Sequence, residues 1–377
     1  MLLLAAAVLE ALAGARAFTR MATTAGGTPL ARDGDVPERC VAIVMPVLNE
    51  ASRLGGALAA LARCGPEVEE IVVVDGGSTD ATRDVVARAA AHDVRVRLVA
   101  APRAPAGWNN KAWNIATGVA RTRAPWIATV DADVRAGPRA IAAAVARARA
   151  DELDALSVAT RQALPDAGSA LLHPALLTTL VYRFGLPNAI ASDPMRVQAN
   201  GQLFVARRDA LERADAIAAS RASRCEDVTI ARALALRGGR IGFFEGDAVV
   251  TMHASWRDCA ASWPRSLTLR DRFMRPPRVA LELAAVTLAQ ALPLPTLIAL
   301  LLARPPGASG TLATALAAGL VAARLGVLAG TRRAYVDPGP FYWLSPLADL
   351  PAAALLVRSA LRRTHVWRGR TLVAERA

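Results

Sequence analysis

No Cys-x-x-Cys pair occurs in this chain of 377 residues, and its four cysteines, Cys40, Cys64, Cys225 and Cys259, are widely spaced. That excludes a zinc ribbon or a disulfide framework and leaves free thiols in a reducing compartment. No segment repeats, so repeat architectures are excluded too. No basic residue precedes the first apolar stretch, as a secretory signal requires. An Ala-x-Ala site stands at Ala15-Arg16-Ala17, but an uncleaved anchor is the expected reading. Finger signatures, RNA-binding sheet signatures and basic helices with interleaved aromatics are all missing. The net charge of +13 and pI near 11.0 therefore do not point to nucleic acid.

What is present is apolar. The chain is 54% hydrophobic with a mean hydropathy of +0.30, high for a soluble enzyme, and four runs account for it. Residues 1–18 carry only Glu10 and Arg16 as charges. Residues 279–303 are interrupted by Glu282, Gln290 and two prolines, 311–330 contain Arg324, and 341–357 contain Asp349. A helix needs about 20 apolar residues to cross a bilayer, so 279–303 is the strongest span taken alone. Pro346, Asp349 and Pro351 make 341–357 an interfacial or re-entrant segment. Much of the arginine lies beside these runs: Arg265, Arg270, Arg272, Arg275 and Arg278 before the second, Arg332 and Arg333 after the third, Arg358, Arg362 and Arg363 after the fourth. Such flanks mark the cytoplasmic side and attract anionic lipid.

From Val41 short apolar runs alternate with helical stretches, the pattern of an α/β fold with a parallel sheet. Strands are expected at Val41–Met45, Ile71–Val74 and Val94–Val99. Helices are expected at Glu50–Cys64, from a Ser78 or Thr79 cap to Ala91, and at Lys111–Ala120. Leu171–Leu186 reads as an apolar helix, either core or membrane-facing.

A further strand, Ile127-Ala128-Thr129-Val130, ends in Asp131-Ala132-Asp133. Side chains alternate along a strand, so both carboxylates fall on one side wherever the extended geometry continues. Two converging carboxylates suit Mg²⁺ or Mn²⁺ beside a phosphate-bearing ligand. Asp-x-Asp alone is common in turns, but the strand Ile71–Val74 also ends in an acid, Asp75. Pro46-Val47-Leu48-Asn49-Glu50 follows the first strand and Asp75-Gly76-Gly77-Ser78-Thr79-Asp80 the second. In a parallel sheet those ends open into one crevice. Asp75 can accept from a uracil or guanine ring N–H, the glycines permit close backbone approach, and the next helix N-terminus favours phosphate. The same hexapeptide is also a good turn and helix cap.

These segments closely resemble the GT-A domain of family 2 glycosyltransferases, over residues 41–260. The resemblance implies a Rossmann-like α/β fold and inverting, divalent-metal-dependent transfer of a single sugar from a nucleotide sugar, a UDP-sugar foremost. It places Asp75 at the base, Asp131 near the ribose or sugar, and Asp133, with Asp131, on Mg²⁺ or Mn²⁺. Pro46, Asn49, Glu50, Gly76 and Lys111 complete the donor side. Lys111 begins a helix, where a cation opposes the helix dipole, so a role in balancing donor phosphate is favoured over a solvated lysine.

Pro105-Ala106-Gly107-Trp108-Asn109-Asn110-Lys111-Ala112-Trp113-Asn114 is similar to a stretch of bacterial membrane glycosyltransferases that act on carotenoid acids or accompany hopanoid synthesis, with Asn110 replacing that pattern's second glycine. Trp108 either stacks on sugar or polyene or simply packs. Asn200-Gly201-Gln202 resembles a turn close to the transferred sugar. Cys225-Glu226-Asp227 opens a helix, and the resemblance makes Asp227 the general base with Glu226 beside it; acids in a first helical turn are also ordinary dipole chemistry. His253 is a weaker third metal-ligand candidate, since a lone histidine is more often structural.

Two departures narrow the reading. Leu269-Arg270-Asp271-Arg272-Phe273 keeps little of the Gln/Arg-x-x-Arg-Trp pattern, which argues against a processive polysaccharide synthase. A Gly-rich loop with Arg and Lys after the first strand is absent, which argues against a nucleotidyltransferase. Trp367-Arg368-Gly369-Arg370 resembles the ending of lipid glucosyltransferases. The expected organisation is an N-terminal membrane anchor (1–18), a linker (19–40), a GT-A domain (41–278), a C-terminal membrane region (279–357) and a basic interfacial tail (358–377). The protein is expected in the cytoplasmic membrane as a multi-pass chain, with its catalytic domain facing the cytoplasm. The acceptor is expected to be a lipid, a terpenoid first and a polyprenyl phosphate or glycerolipid second. A catalytically silent scaffold is the rival of another class, and four acids, Asp75, Asp131, Asp133 and Asp227, speak against it.

Overall fold

The structure, a computed structural model, describes residues 2–31, 34–251, 255–267 and 270–362, with the backbone of 364–367 and 370–373. In chain order its first half is α1 (Leu2–Thr24), β1 (Val41–Val47), α2 (Ala51–Leu61), β2 (Val68–Asp75), α3 (Thr82–Ala90), β3 (Val96–Ala100), α4 (Asn110–Val119), β4 (Trp126–Val130), β5 (Val134–Ala136), α5 (Ala140–Ala150), β6 (Ala155–Ala163) and α6 (Ala167–Phe184). There follow β7 (Ala189–Ile190), β8 (Leu203–Arg207), α7 (Arg208–Arg213), α8 (Ala216–Ala219), α9 (Glu226–Leu236), β9 (Ile241–Thr251), α10 (Trp256–Leu267), α11 (Pro276–Val286), α12 (Pro293–Ala303), α13 (Gly307–Thr331) and α14 (Asp349–Leu361). A hairpin of β10 (Thr364–Trp367) and β11 (Arg370–Val373) closes the described chain.

The nine-stranded sheet runs β3-β2-β1-β4-β8-β6-β9-β5, with β7 paired to β9. Strands β3, β2, β1 and β4 are parallel, as are β6 and β9, whereas β8 is antiparallel to both its neighbours. Alternation along β1 distributes its side chains to two cores. Ile43 and Met45 pack with Leu54, Leu58 and Ile141 on one face; Ala42 and Val44 pack with Ile115, Val119 and Ile230 on the other. Gly118 lets α4 lie close against the sheet, since a Cβ there would fall 2.4 Å from Val44. The β1–β4 register ends at Val44 opposite Thr129. Pro46, which has no N–H to offer a neighbour, lies beyond it where the two strands part. Strand order reverses at β1, so the crevice between the ends of β1 and β4 is the place where such sheets bind ligands.

The apolar runs fold as helices against α6. Helix α1 packs on α13 and α6, and α12 packs on α13. Among the described residues three helical stretches, Leu2–Thr24, Gly307–Ala334 and Pro340–Leu361, are long and apolar enough to cross a membrane. The run expected to be the strongest span is divided: a π turn at Thr287–Ala291 separates α11 from α12, with a bend of 45°. Pro293 and Pro295 explain the break, because each removes a backbone donor and crowds the preceding turn. Apart from Glu10, which accepts from Thr296 Oγ1 (2.6 Å), the charges inside these runs have charged partners. Arg324 Nε and Nη2 donate to Asp349 (2.8 and 3.0 Å), Gln290 Nε2 donates to the same carboxylate (2.7 Å), and Glu282 accepts from Arg16 and Arg20 (2.7 Å each).

Candidate active site

Helix α4 begins at a cap that also ties it to α9. Asn109 Oδ1 accepts from the Ala112 N–H (2.8 Å), satisfying one of the free donors of the first turn. Its own N–H donates to Arg221 O (2.6 Å), and its Nδ2 donates to Ser223 O. One side chain thus fastens the start of α4 to the loop ahead of α9, and the two helix N-termini face each other. Lys111 fills the space between them. Its Nζ lies 2.8 Å from Asp131 Oδ1 and 2.6 Å from Glu226 Oε1. Burial works against the ammonium, but Asp131, Glu226 and Asp227 outweigh it and hold its pKa well above the usual value. Lys111 is the one lysine among 45 basic residues. An ammonium is a compact donor of three hydrogen bonds, where a guanidinium is a wide planar fork.

Beyond β4 the extended geometry stops. The Val134 N–H donates to Asp131 O (3.1 Å), so residues 131–133 form a turn and the expected alternation does not continue. Asp131 turns to Lys111, while Asp133 Oδ2 lies 3.4 Å from Arg53 Nη1 of α2. The two carboxylates remain neighbours: burial first, and Asp133 after it, push the Asp131 carboxyl up against the pull of Lys111. On the opposite side, burial and Glu226 push Asp227 up to about 7. Asp227 accepts from the Val228 N–H (2.8 Å).

The turn at 200–202 closes over this cluster. Asn200 Nδ2 donates to Val158 O (3.0 Å), its N–H donates to Ser157 Oγ (2.9 Å), and its Oδ1 accepts from Gln202 N–H (3.1 Å). A Cβ at Gly201 would stand 3.0 Å from Lys111 Nζ and 3.5 Å from Glu226 Oε1, so any larger residue there would press on the lysine tip.

A second group of expected residues meets at the ends of β1 and β2. Asn49 Oδ1 accepts from the Thr79 N–H (2.8 Å), and its N–H donates to Ser78 Oγ (2.9 Å). The Glu50 N–H donates to Thr82 Oγ1 (2.8 Å). These bonds use Ser78 and Thr79 in the loop, so α3 starts later than expected, at Thr82, whose N–H donates to Asp80 (3.0 Å). Asp75 Oδ1 accepts from the N–H groups of Gly77 and Ser78 (3.2 and 2.8 Å), and Oδ2 accepts from Arg83 Nε (2.6 Å). Burial alone would raise its pKa; the Ser78 and Arg83 bonds win and lower it. The Asp75 side chain is fully buried beside the half-exposed Arg83. Gly76 adjoins Asn114, whose amide a Cβ would strike at 2.7 Å.

A cavity of about 580 Å³ starts at Lys111, Asp131, Glu226 and Asp227 and passes Asn200 and Gly201. Leu177, Leu180 and Val181 of α6 and Gly330 and Thr331 of α13 also line it. Pro46, Asn49, Glu50, Asp75 and Gly76 lie outside it, in the neighbouring crevice, joined to Asp133 through Arg53 of α2. Trp108 is also outside its lining; it meets Trp113 edge-on at 5.2 Å, and Trp113 Nε1 donates to Pro102 O (2.8 Å). His253 lies outside the described residues. Among the described residues no three His, Cys, Asp or Glu side chains converge on a metal position. Sequence reasoning missed three cavity arginines, Arg161, Arg224 and Arg333, which come from separate elements and share no linear pattern. It also passed over the solitary status of Lys111, a signal that composition carries.

Residues 42–211 match the family model described as glycosyl transferase family 2. The matched segment, a little under half of the chain, is a family 2 glycosyltransferase domain. The fold of the chain is similar to that of mannosyltransferase PcManGT from Pyrobaculum calidifontis, solved with GDP-Man and Mn²⁺. Identity is 21%, the TM-score is 0.56, and the match covers 95% of this chain and 99% of that one. Glucosyl-3-phosphoglycerate synthase from Mycobacterium tuberculosis, solved with Mn²⁺, UDP and glucosyl-3-phosphoglycerate, matches at 15% identity and a TM-score of 0.39, covering 67% of this chain and 81% of that one. No curated protein sequence matches the chain.

Proposed function

We propose that this glycosyltransferase moves one sugar, with inversion, from a nucleotide sugar to a lipid acceptor taken from the cytoplasmic membrane, with the catalytic domain on the cytoplasmic side. One observation carries the reading: a single cavity joins the acidic cluster at Asp131 and Asp227 to the end of α13, a helix apolar enough to span a bilayer. Leu177, Leu180 and Val181 of α6 and Trp263 of α10 give that cavity an apolar side, which suits an acyl or prenyl chain.

The donor side is the crevice at Pro46, Asn49, Glu50, Asp75 and Gly76. Asp75, fully buried and bonded to Arg83, Gly77 and Ser78, meets an incoming base once the half-exposed Arg83 swings aside. Asp131 and Asp133 present hard oxygens and are partly exposed, at 27% and 28%, so they fit Mg²⁺ or Mn²⁺ with donor phosphate and water completing the shell. When bound, the cation neutralises charge on the departing diphosphate. Lys111 holds Asp131 and Glu226 apart at fixed distance and keeps the donor and acceptor walls in register. Asp227 takes the acceptor proton as the oxygen attacks the anomeric carbon; a carboxyl tuned to neutral pH is suited to that task. Terpenoid, polyprenyl phosphate and glycerolipid acceptors all satisfy the apolar half of the cavity. They differ in the head group that meets its polar half.

The test is to incubate membranes carrying the protein with labelled UDP-glucose or GDP-mannose and Mn²⁺, then extract lipid. Label should enter the lipid fraction and disappear with Asp133→Ala. Absence of transfer from every nucleotide sugar, with no nucleotide binding, refutes the reading.

A further inference from the structure

The cavity has a cationic wall that donor binding and catalysis leave unused. Arg224 precedes the acidic pair at the start of α9, and Arg265 reaches the same space from α10. Arg270 follows closely, since its backbone carbonyl lies against Cys225 Sγ (3.9 Å). Burial first, and then repulsion from Arg270 and Arg265, lowers the Arg224 pKa. Guanidinium groups gathered this way offer forked, charge-assisted hydrogen bonds to a phosphate or similar anion. Leu177, Leu180 and Val181 of α6 and Trp263 of α10 supply apolar lining to the same cavity.

Asp227 adds a constraint. If the acceptor's nucleophile were itself the anion, it would arrive ionised and a base would have no proton to remove. With Asp227 as base, nucleophile and anion are different groups. Arg224 and Asp227 flank the same first turn of α9 and line the same cavity, so one ligand can meet both. Resting on the glycosyltransferase reading, we propose that the acceptor is an anionic amphiphile with a free hydroxyl near its phosphate, as in a hydroxylated glycerophospholipid. Arg224 and Arg265 hold the anion, the acyl chains lie along Leu177, Leu180 and Trp263, and the hydroxyl faces Asp227. The bond from the acceptor oxygen to the anomeric carbon forms as the bond to the diphosphate breaks. The hydroxyl proton goes to Asp227, and the diphosphate leaves with the electron pair.

The test uses the full chain in detergent with Mn²⁺ and whichever nucleotide sugar it binds, offered four acceptors: phosphatidylglycerol, diacylglycerol, polyprenyl phosphate and glycerol phosphate. Phosphatidylglycerol should be preferred over diacylglycerol by tenfold or more in kcat/KM, and glycerol phosphate should be poor for want of chains. Arg224→Gln with Arg265→Gln should collapse that preference towards unity while nucleotide affinity, measured by calorimetry, stays the same; the Lys pair should restore part of it. Equal use of diacylglycerol, preference for polyprenyl phosphate, or equal use of glycerol phosphate each overturns the proposal. So does a loss of nucleotide affinity in the Gln pair, which would assign the arginines to the donor. If that pair does not fold, the comparison of head groups on the unaltered protein decides. Nucleotide binding without the expected acceptor preference defeats this inference alone; no nucleotide binding defeats the glycosyltransferase reading with it.

Discussion

In the proposed mechanism the chemistry turns on Asp227 as base and on Lys111 as the cation between the two walls. Asp227 sits at about 7, raised by burial and by Glu226, so it is half deprotonated near neutrality. A base must be deprotonated to act, and the transfer rate should therefore rise with pH through that value and level off above it. Asp227→Asn should lower kcat by about 10²-fold or more with little change in nucleotide affinity, and its remaining rate should lose the pH dependence. Lys111→Arg preserves charge and tests shape. The guanidinium is too broad to stand between Asp131 and Glu226 at their present spacing, so we expect a large loss of activity with the fold intact by circular dichroism. Full activity in that variant would show that any cation serves there.

At the scale of elements, α9 is held by a buried ion pair. Arg232 Nη1 donates to Asp271 Oδ2 (2.8 Å), with both side chains 0% exposed, and Asp271 also accepts from Thr229 Oγ1 and the Phe273 N–H (3.2 and 3.0 Å). Removing one partner leaves a buried charge uncompensated, which costs about 3–5 kcal/mol. Asp271→Ala should lower stability by about that amount in a denaturant titration. Because Asp271 adjoins Arg270, the same change should weaken acceptor use more than nucleotide binding. Asn109 does the matching service for α4, clasping the loop before α9 as well as capping its own helix. The sequence showed α4 and α9 as separate helices of expected length. That Lys111 and Glu226 would meet at 2.6 Å follows from that clasp, not from either helix alone.

At the scale of the molecule, the apolar helices and the catalytic sheet are one packed body. Arg16 and Arg20 of α1 reach Glu282 of α11, Arg20 Nη1 also donates to Arg183 O of α6 (2.7 Å), and α6 lines the cavity. The exposed Phe341, Trp343, Leu344, Leu347 and Leu350 form an apolar margin beside Arg332 and Arg333, the composition of a membrane interface. The protein should stay with membranes through an alkaline carbonate wash. Release into the supernatant would show that the apolar helices pack only on protein.

The alternating pattern from Val41 and the acids closing two strands were legible because each is a local matter. β-branched runs buried on both faces, a turn hexapeptide and an acid after a strand are written within a few residues of each other. The helix break at Pro293 was less so, since the run is apolar throughout and only backbone chemistry divides it. The sequence by itself therefore determined an α/β fold with acids closing two strands at one crevice and apolar helices beside it. Tertiary structure alone decided that Asp131 faces Lys111 while Asp133 faces Arg53, that Arg324 meets Asp349 and Glu282 meets Arg16 and Arg20, and that arginines from distant segments line one cavity with Asp227. Those are long-range contacts, set by how whole elements pack, and no spacing along the chain encodes them.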